Sequence, residues 1–162
     1  MSCRIGIGYD SHRFAAPGPL ILGGICLDHD QHLSGHSDGD AVAHAIVDAV
    51  LGAAGAGDIG ELFPDNDPAN KNRNSLEMLA VAVRRVGDAG WRVEQVDVTV
   101  IAEVPRLAPH RLAMQEALAL ALHLPAASVS VKGKTNEGMG FVGRGEGVAC
   151  IAVAMLVSTQ SA

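Results

Sequence analysis

Three polar residues, Asp40, His44 and Asp48, recur at every fourth position in a stretch otherwise filled by alanine, valine, isoleucine and leucine, residues 37–55. If that stretch is a helix, capped by Ser37 or Asp38, all three side chains project from one face. A carboxylate, an imidazole and a carboxylate in a row are costly to bury without partners. The row is therefore either a solvated outer face or part of a site, and one helix cannot build a metal site alone. Asp10 and His12, after the apolar run of residues 4–9, offer partners. With that run read as a strand, the two lie two residues apart and point to one side. Asp10, His12 and His44 together make a three-ligand set with a fourth position open, as a catalytic zinc requires.

The chain around these residues has 162 residues, enough for one domain (1–162) with a real core. Hydrophobic residues make up 48% and charged residues only 19%. That is more apolar surface than so short a chain hides alone, which predicts burial against copies of itself. A net charge of −6 without any long basic run argues against nucleic acid as a bulk partner. Cys3, Cys26 and Cys150 are odd in number and lack C-x-x-C spacing, so they read as small apolar fillers in a reduced compartment. No signal peptide and no apolar segment long enough to span a membrane is visible, and the expected location is cytoplasmic.

Taken in order, residues 17–28 read as a hairpin turning at Gly23-Gly24, followed by a polar loop with His29 and His32. His36 and Ser37 lead into the central helix, where free backbone N–H groups favour an anion, although Asp38 and Asp40 oppose one and are better read as caps or as supports of the metal ligands. Residues 57–75 read as a long loop, either a functional lid or a connector. A second helix follows, with Asn74 and Glu77 as a capping pair, a stripe of Leu76, Leu79, Ala80, Val83 and Val86, and Gly90 as its stop. Residues 91–104 alternate as a strand, most convincingly from Val96, and residues 106–124 read as a third helix. Arg106, His110 and Arg111 at its start are surface charge or a phosphate contact. Residues 127–147 begin as a strand and dissolve into a glycine-rich loop carrying Lys132, Lys134, Thr135, Asn136, Glu137, Arg144 and Glu146. That loop is an anion cradle or a set of tight turns, without P-loop order. The run 148–157 reads as a strand buried on both faces. The expected fold is α/β (α+β), a single mixed sheet with helices on one face and neighbouring subunits on the other.

Four segments carry a resemblance: GYDSH, HSDGD-x-x-x-H within residues 33–67, VDVTVIAEVPRLAPH, and GFVGRGEGVA. Together they resemble the 2-C-methyl-D-erythritol 2,4-cyclodiphosphate synthases over nearly the whole chain. The resemblance implies a homotrimer with active sites between neighbours. It also implies cyclisation of 4-diphosphocytidyl-2-C-methyl-D-erythritol 2-phosphate with release of CMP, and no cytidylyltransferase domain fused to the chain. By the same resemblance Asp10, His12 and His44 bind zinc, and His36 and Ser37 hold substrate phosphate, His36 catalytically. Asp58, Ile59 and Gly60, with Phe63, Pro64, Asp65, Asn66 and Asp67, line a methylerythritol pocket. Ala102, Glu103, Val104, Pro105, Arg106, Leu107 and Ala108 cradle cytidine. Thr135 stabilises the transition state, and Glu137 holds a second cation, magnesium or manganese. Lys134, Asn136, Phe141 and Arg144 are further substrate-side residues. Tyr9, Arg144 and Glu146 line a trimer axis open to an isoprenoid diphosphate. The chain departs from the family at Lys134, where a hydroxyl residue is common, at Arg106, where lysine is frequent, and at Tyr9, where phenylalanine is. A zinc phosphoesterase, releasing inorganic phosphate, and a trimeric isoprenoid-diphosphate binder with a structural metal are the rival readings.

Overall fold

The computed structural model describes residues 2–160. A long strand, β1 (Cys3–Ala15), is followed by the short strands β2 (Leu20–Leu22), β3 (Ile25–Leu27) and β4 (His32–Leu33). Helices α1 (Ala41–Ala54), α2 (Ile59–Leu62) and α3 (Ser75–Asp88) come next, then β5 (Trp91–Ile101) and α4 (Arg111–Leu122). The chain ends in β6 (Val129–Lys134), the single turn α5 (Gly140–Gly143) and β7 (Gly147–Ser158). Five strands form one sheet in the order β4-β1-β7-β5-β6, antiparallel except for the β5–β6 pair. The sheet is mixed, as expected, but β2 and β3 stand outside it as a two-stranded ribbon. Their turn is Gly23-Gly24 at φ 61 and 77, the left-handed pair that a tight two-residue hairpin demands.

β1 does not stop at Tyr9. Its pairing with β7 runs from Cys3↔Val157 to Arg13↔Gly147, so Asp10 and His12 lie within the ladder. Both point to the side of Gly6 and Gly8, where α1 lies directly on the strand. A Cβ on Gly6 would stand 2.0 Å from the Ala49 carbonyl oxygen, and one on Gly8 1.9 Å from that of Ala45. The bare backbone at these two positions brings helix and strand together. α1 is apolar almost all round because it is enclosed, with the sheet on one side and α3 on the other.

Several boundaries shift for local reasons. α1 is capped by Asp40 instead of Ser37 or Asp38. α4 begins at Arg111, five residues after the expected start: Pro109 disfavours helical geometry at Ala108, and residues 107–110 close only a turn. The segment 57–75 contains α2 and a 3₁₀ turn, Pro68–Asn70, with Asp58 and Asp67 as their caps. Asn74 caps α3 through the N–H groups of Leu76 and Glu77. The buried side of α3 is Ser75, Met78, Leu79, Ala82 and Val86, so Leu76, Ala80 and Val83 sit at its margin. Of the three free thiols only Cys150 is a buried filler, while Cys3 and Cys26 are exposed.

β7 is buried throughout on one face within the chain, and on the other only towards its ends, at Ala149 and Val157. Cys150, Ala152, Ala154 and Leu156 are 0% exposed beneath α1, while Ile151 and Val153 look out from the other face. Ile5, Ile7 and Tyr9 of β1 join them, the two isoleucines at 70% exposure. Among the described residues no helix lies over that row.

Candidate metal centre

The sheet and α1 bring three side chains to one point. Asp10 Oδ2 lies 2.8 Å from His12 Nε2 and 3.1 Å from His44 Nδ1. The two ring nitrogens are themselves 3.1 Å apart. This is the one group of three such side chains, among the described residues, close enough to share an ion. Bonds of about 2.0–2.1 Å to a tetrahedral zinc would set ligand atoms about 3.3 Å apart, close to the edges of this triangle. The donor set, one carboxylate and two imidazoles, suits that ion as well.

The electrostatics favour a cation at the same point. Burial opposes a charged Asp10, but hydrogen bonds and charge from His12 and His44 outweigh it and hold the carboxyl below the usual range. Burial likewise opposes a charged His12, and the Asp10 carboxylate reverses the balance, raising the imidazole above its ordinary value. The Nδ1–H of His12 donates to the Ser34 carbonyl at 2.7 Å, which leaves Nε2 to face Asp10.

The row of Asp40, His44 and Asp48 divides its labour. His44 alone joins the centre. Asp40, fully buried, accepts from the N–H groups of Val42 and Ala43 in α1 and of Gly23 and Gly24 in the hairpin turn. Burial pushes its carboxyl up, and those backbone donors limit the rise. Asp48 accepts the Ile59 N–H at 2.8 Å and so ties α2 to α1. Partial burial raises its carboxyl too.

A 370 Å³ cavity opens over the three converging atoms. Besides Asp10, His12 and His44, it is lined by His36, Ser37, Ile59, Gly60, Phe63 and Asp65, all expected at the site. A second cavity of 250 Å³ takes in Ala102, Glu103, Pro105, Arg106, Leu107, Ala108, Lys134 and Thr135, with Arg111 beside them. The two share no lining residue. Register explains their separation: Asp10 pairs with Cys150, Cys150 with Val100, and Val100 with Gly133. Three strand spacings, roughly 14 Å, separate the level of Asp10 from that of Gly133.

The family model described as the YgbB family matches residues 3–157. The chain belongs to the YgbB family. A relative from Gemmatimonas aurantiaca named 2-C-methyl-D-erythritol 2,4-cyclodiphosphate synthase is 56% identical over 158 residues, covering 98% of this chain and 95% of its own. The solved structure of the bifunctional IspDF from Campylobacter jejuni superposes with a TM-score of 0.93 at 41% identity. That match covers 97% of this chain and 42% of the longer protein. A Plasmodium falciparum IspF in complex with CDP gives a TM-score of 0.85 at 34% identity, covering 98% of both chains.

Other expected site residues of this YgbB chain lie outside both cavities. Asp58 caps α2, Asp67 caps the 3₁₀ turn, and Pro64 accepts the Asn70 side-chain amide through its carbonyl. Asn66 and Val104 are exposed. Glu137 and Asn136 are tied to the lining of the second cavity: Thr135 Oγ1 donates to Glu137 Oε1 at 2.9 Å, and the Asn136 N–H donates to Glu103 Oε1 at 2.9 Å. Phe141 shares a 230 Å³ cavity with Ser11, His12, Arg13 and Glu146, and Arg144 Nε donates to Glu146 Oε1 at 2.6 Å. The sequence reading missed Ser75. It is 0% exposed and 2.8 Å from His44 Nε2, while Ser37 Oγ lies 2.9 Å from the same nitrogen. The signal available was slight: a serine directly after the Asn74 cap, on the side of α3 that faces α1.

Proposed function

We infer that the chain is a cyclodiphosphate synthase. It converts 4-diphosphocytidyl-2-C-methyl-D-erythritol 2-phosphate to 2-C-methyl-D-erythritol 2,4-cyclodiphosphate and CMP. The carrying observation is the convergence of Asp10, His12 and His44 at the floor of a cavity, in a chain that belongs to the YgbB family. In the reaction an oxygen of the 2-phosphate attacks the β-phosphorus, and the bond from that phosphorus to the CMP oxygen breaks. CMP departs with the electron pair, so neither hydrolysis nor a covalent enzyme intermediate is required.

Asp10, His12 and His44 would hold zinc and Glu137 a second divalent cation, magnesium or manganese; bound there, the cations neutralise phosphate charge and polarise the phosphorus–oxygen bonds. His36 and Ser37 position the phosphates beside the zinc ligands. Asp58, Ile59, Gly60 and residues 63–67 enclose the methylerythritol and exclude water. Residues 102–108 receive the cytosine and ribose, largely through backbone groups. Arg106 and Lys134 add positive charge at that cavity, Thr135 and Asn136 border the diphosphate, and Phe141 and Arg144 close the substrate side. Holding both phosphates in one orientation removes most of the entropic barrier to ring closure.

The whole chain, 1–162, acts as one domain in a cytoplasmic homotrimer. The exposed row of Ile5, Ile7, Tyr9, Ile151 and Val153 supports assembly through that face. Each active site then combines the metal-centre cavity of one copy with the 102–108 cavity of its neighbour, in keeping with their separation across the sheet. Tyr9, Arg144 and Glu146 would line the axis, where an isoprenoid diphosphate fits.

Phosphorus NMR of the zinc- and magnesium-loaded protein with the diphosphocytidyl substrate tests this reading. Cyclic-diphosphate resonances with matching CMP, absent for His44→Ala, are expected. Inorganic phosphate would instead indicate the phosphoesterase, and ligand binding without turnover the binding protein.

A further inference from the structure

Asp38 and Ser75 touch none of the three converging ligand atoms, yet they decide which nitrogen of His44 is free to serve there. A neutral imidazole carries one N–H and one lone pair. Ser75 Oγ lies 2.8 Å from His44 Nε2, and the Ser75 hydroxyl donates its proton to Asp38 Oδ1. The other oxygen of Asp38 accepts the Ser75 backbone N–H at 2.9 Å. An ionised carboxylate only accepts, so the serine proton is committed to Asp38 and cannot also point at His44. At Nε2 the hydroxyl must therefore accept. In the neutral imidazole Nε2 then carries the proton and the lone pair stays on Nδ1, the atom that faces Asp10 Oδ2 at 3.1 Å; only the doubly protonated ring donates to Asp10 as well.

Ser37 cannot be relied on for the same service. Its hydroxyl lines the cavity and is wanted by phosphate in the reading above, whereas Ser75 is wholly buried. We propose that Asp38 and Ser75 are positioning residues for the metal centre: Asp38 orients the Ser75 hydroxyl, which locks His44 in the tautomer able to bind a cation. The centre is thereby tuned from the first turn of α3, 31 residues along the chain from the ligand it controls. This inference rests on the metal-centre reading and adds to it the source of the tautomer.

Zinc affinity tests it without recourse to turnover. Zinc would be titrated into metal-free protein against a chromophoric chelator, for the parent, Ser75→Ala, Asp38→Asn and the double variant. Loss of such a supporting hydrogen bond weakens metal binding about 10–100-fold, and Ser75→Ala falls at the lower end because Ser37 can still accept. Because Asp38 acts through Ser75, the double variant is expected to bind no worse than the weaker single variant. Ser75→Ala binding within about twofold of the parent, with unchanged melting of the metal-free protein, would overturn the proposal, as would additive losses in the double variant. Nitrogen-15 NMR of the metal-free parent at about pH 8, above the ordinary imidazole range, needs no variant to fold. A proton on Nε2 of His44 supports the proposal, and one on Nδ1 refutes it. A parent that holds no zinc, like His44→Ala, would instead sink the metal-centre reading itself.

Discussion

Replacing Gly8 by alanine should damage the fold and the metal centre together. The new Cβ would lie 1.9 Å from the Ala45 carbonyl oxygen and 2.7 Å from the Ala49 nitrogen, both backbone atoms of α1. Neither can rotate away, so the helix must retreat by about 1.1 Å to restore a tolerable contact. Overpacking of this kind costs about 3 kcal/mol. For a chain of this size that corresponds to a fall of roughly 6–12 °C in Tm. The same movement carries His44, adjacent to Ala45, away from Asp10. The present 3.1 Å between Asp10 Oδ2 and His44 Nδ1 would stretch beyond about 4 Å. Zinc binding should weaken at least about a hundredfold, since a ligand is displaced. Differential scanning calorimetry of the metal-free protein and a zinc titration read the two effects separately. Gly52→Ala is the matched control on the same helix, because the first atom its Cβ would meet beyond that helix is the Ile7 carbonyl oxygen, 4.0 Å away. That variant should gain up to about 1 kcal/mol from helix propensity. Gly8→Ala melting within about 2 °C of the parent, with zinc affinity intact, would refute the view that bare backbone at this strand sets the position of His44.

Asp40→Ala leaves four backbone N–H groups without their acceptor and should cost at least about 3 kcal/mol, read by urea unfolding, with the hairpin loosening first in hydrogen exchange. Asp48→Asn keeps the acceptor for the Ile59 N–H and removes a partly buried charge. Because burial raises the Asp48 carboxyl, its contribution is fully present below the ordinary carboxylate value and is lost as pH rises through the folded-state value. Unfolding of the metal-free Asn variant from pH 4 upward should therefore lose less stability than the parent, and equal slopes would contradict this. Ile7→Asp places a charge in the exposed apolar row and should shift the proposed trimer to monomers in light scattering, leaving the secondary structure intact; a parent that is itself monomeric would refute assembly through this face.

The strands and helices that carry the site were legible because their signals are local. Two-residue spacing put Asp10 and His12 on one side of a strand, and the apolar body of residues 41–54 marked a helix with His44 in it. The Gly23-Gly24 turn and the Asn74 cap were readable for the same reason, since φ preferences and cap chemistry belong to the residues themselves. The helix start at 106 was misplaced because the restriction that Pro109 puts on Ala108 outweighed the apolar pattern.

What the sequence by itself determined was which three side chains, Asp10, His12 and His44, could converge, and the elements that bear them. Tertiary structure decided what surrounds that set. Asp40 and Asp48 are spaced identically about His44, yet one caps a helix and grips a hairpin while the other ties down α2. Their roles depend on backbone donors delivered by other segments. The same holds for Ser75, whose hydroxyl matters only because α3 packs where it meets His44. Nor could spacing reveal that β1 would pair with the C-terminal strand, or that the two cavities would lie three strands apart. A side chain's type and period are written in its own stretch of chain. The partners that satisfy a buried polar group arrive from elsewhere, and only packing brings them.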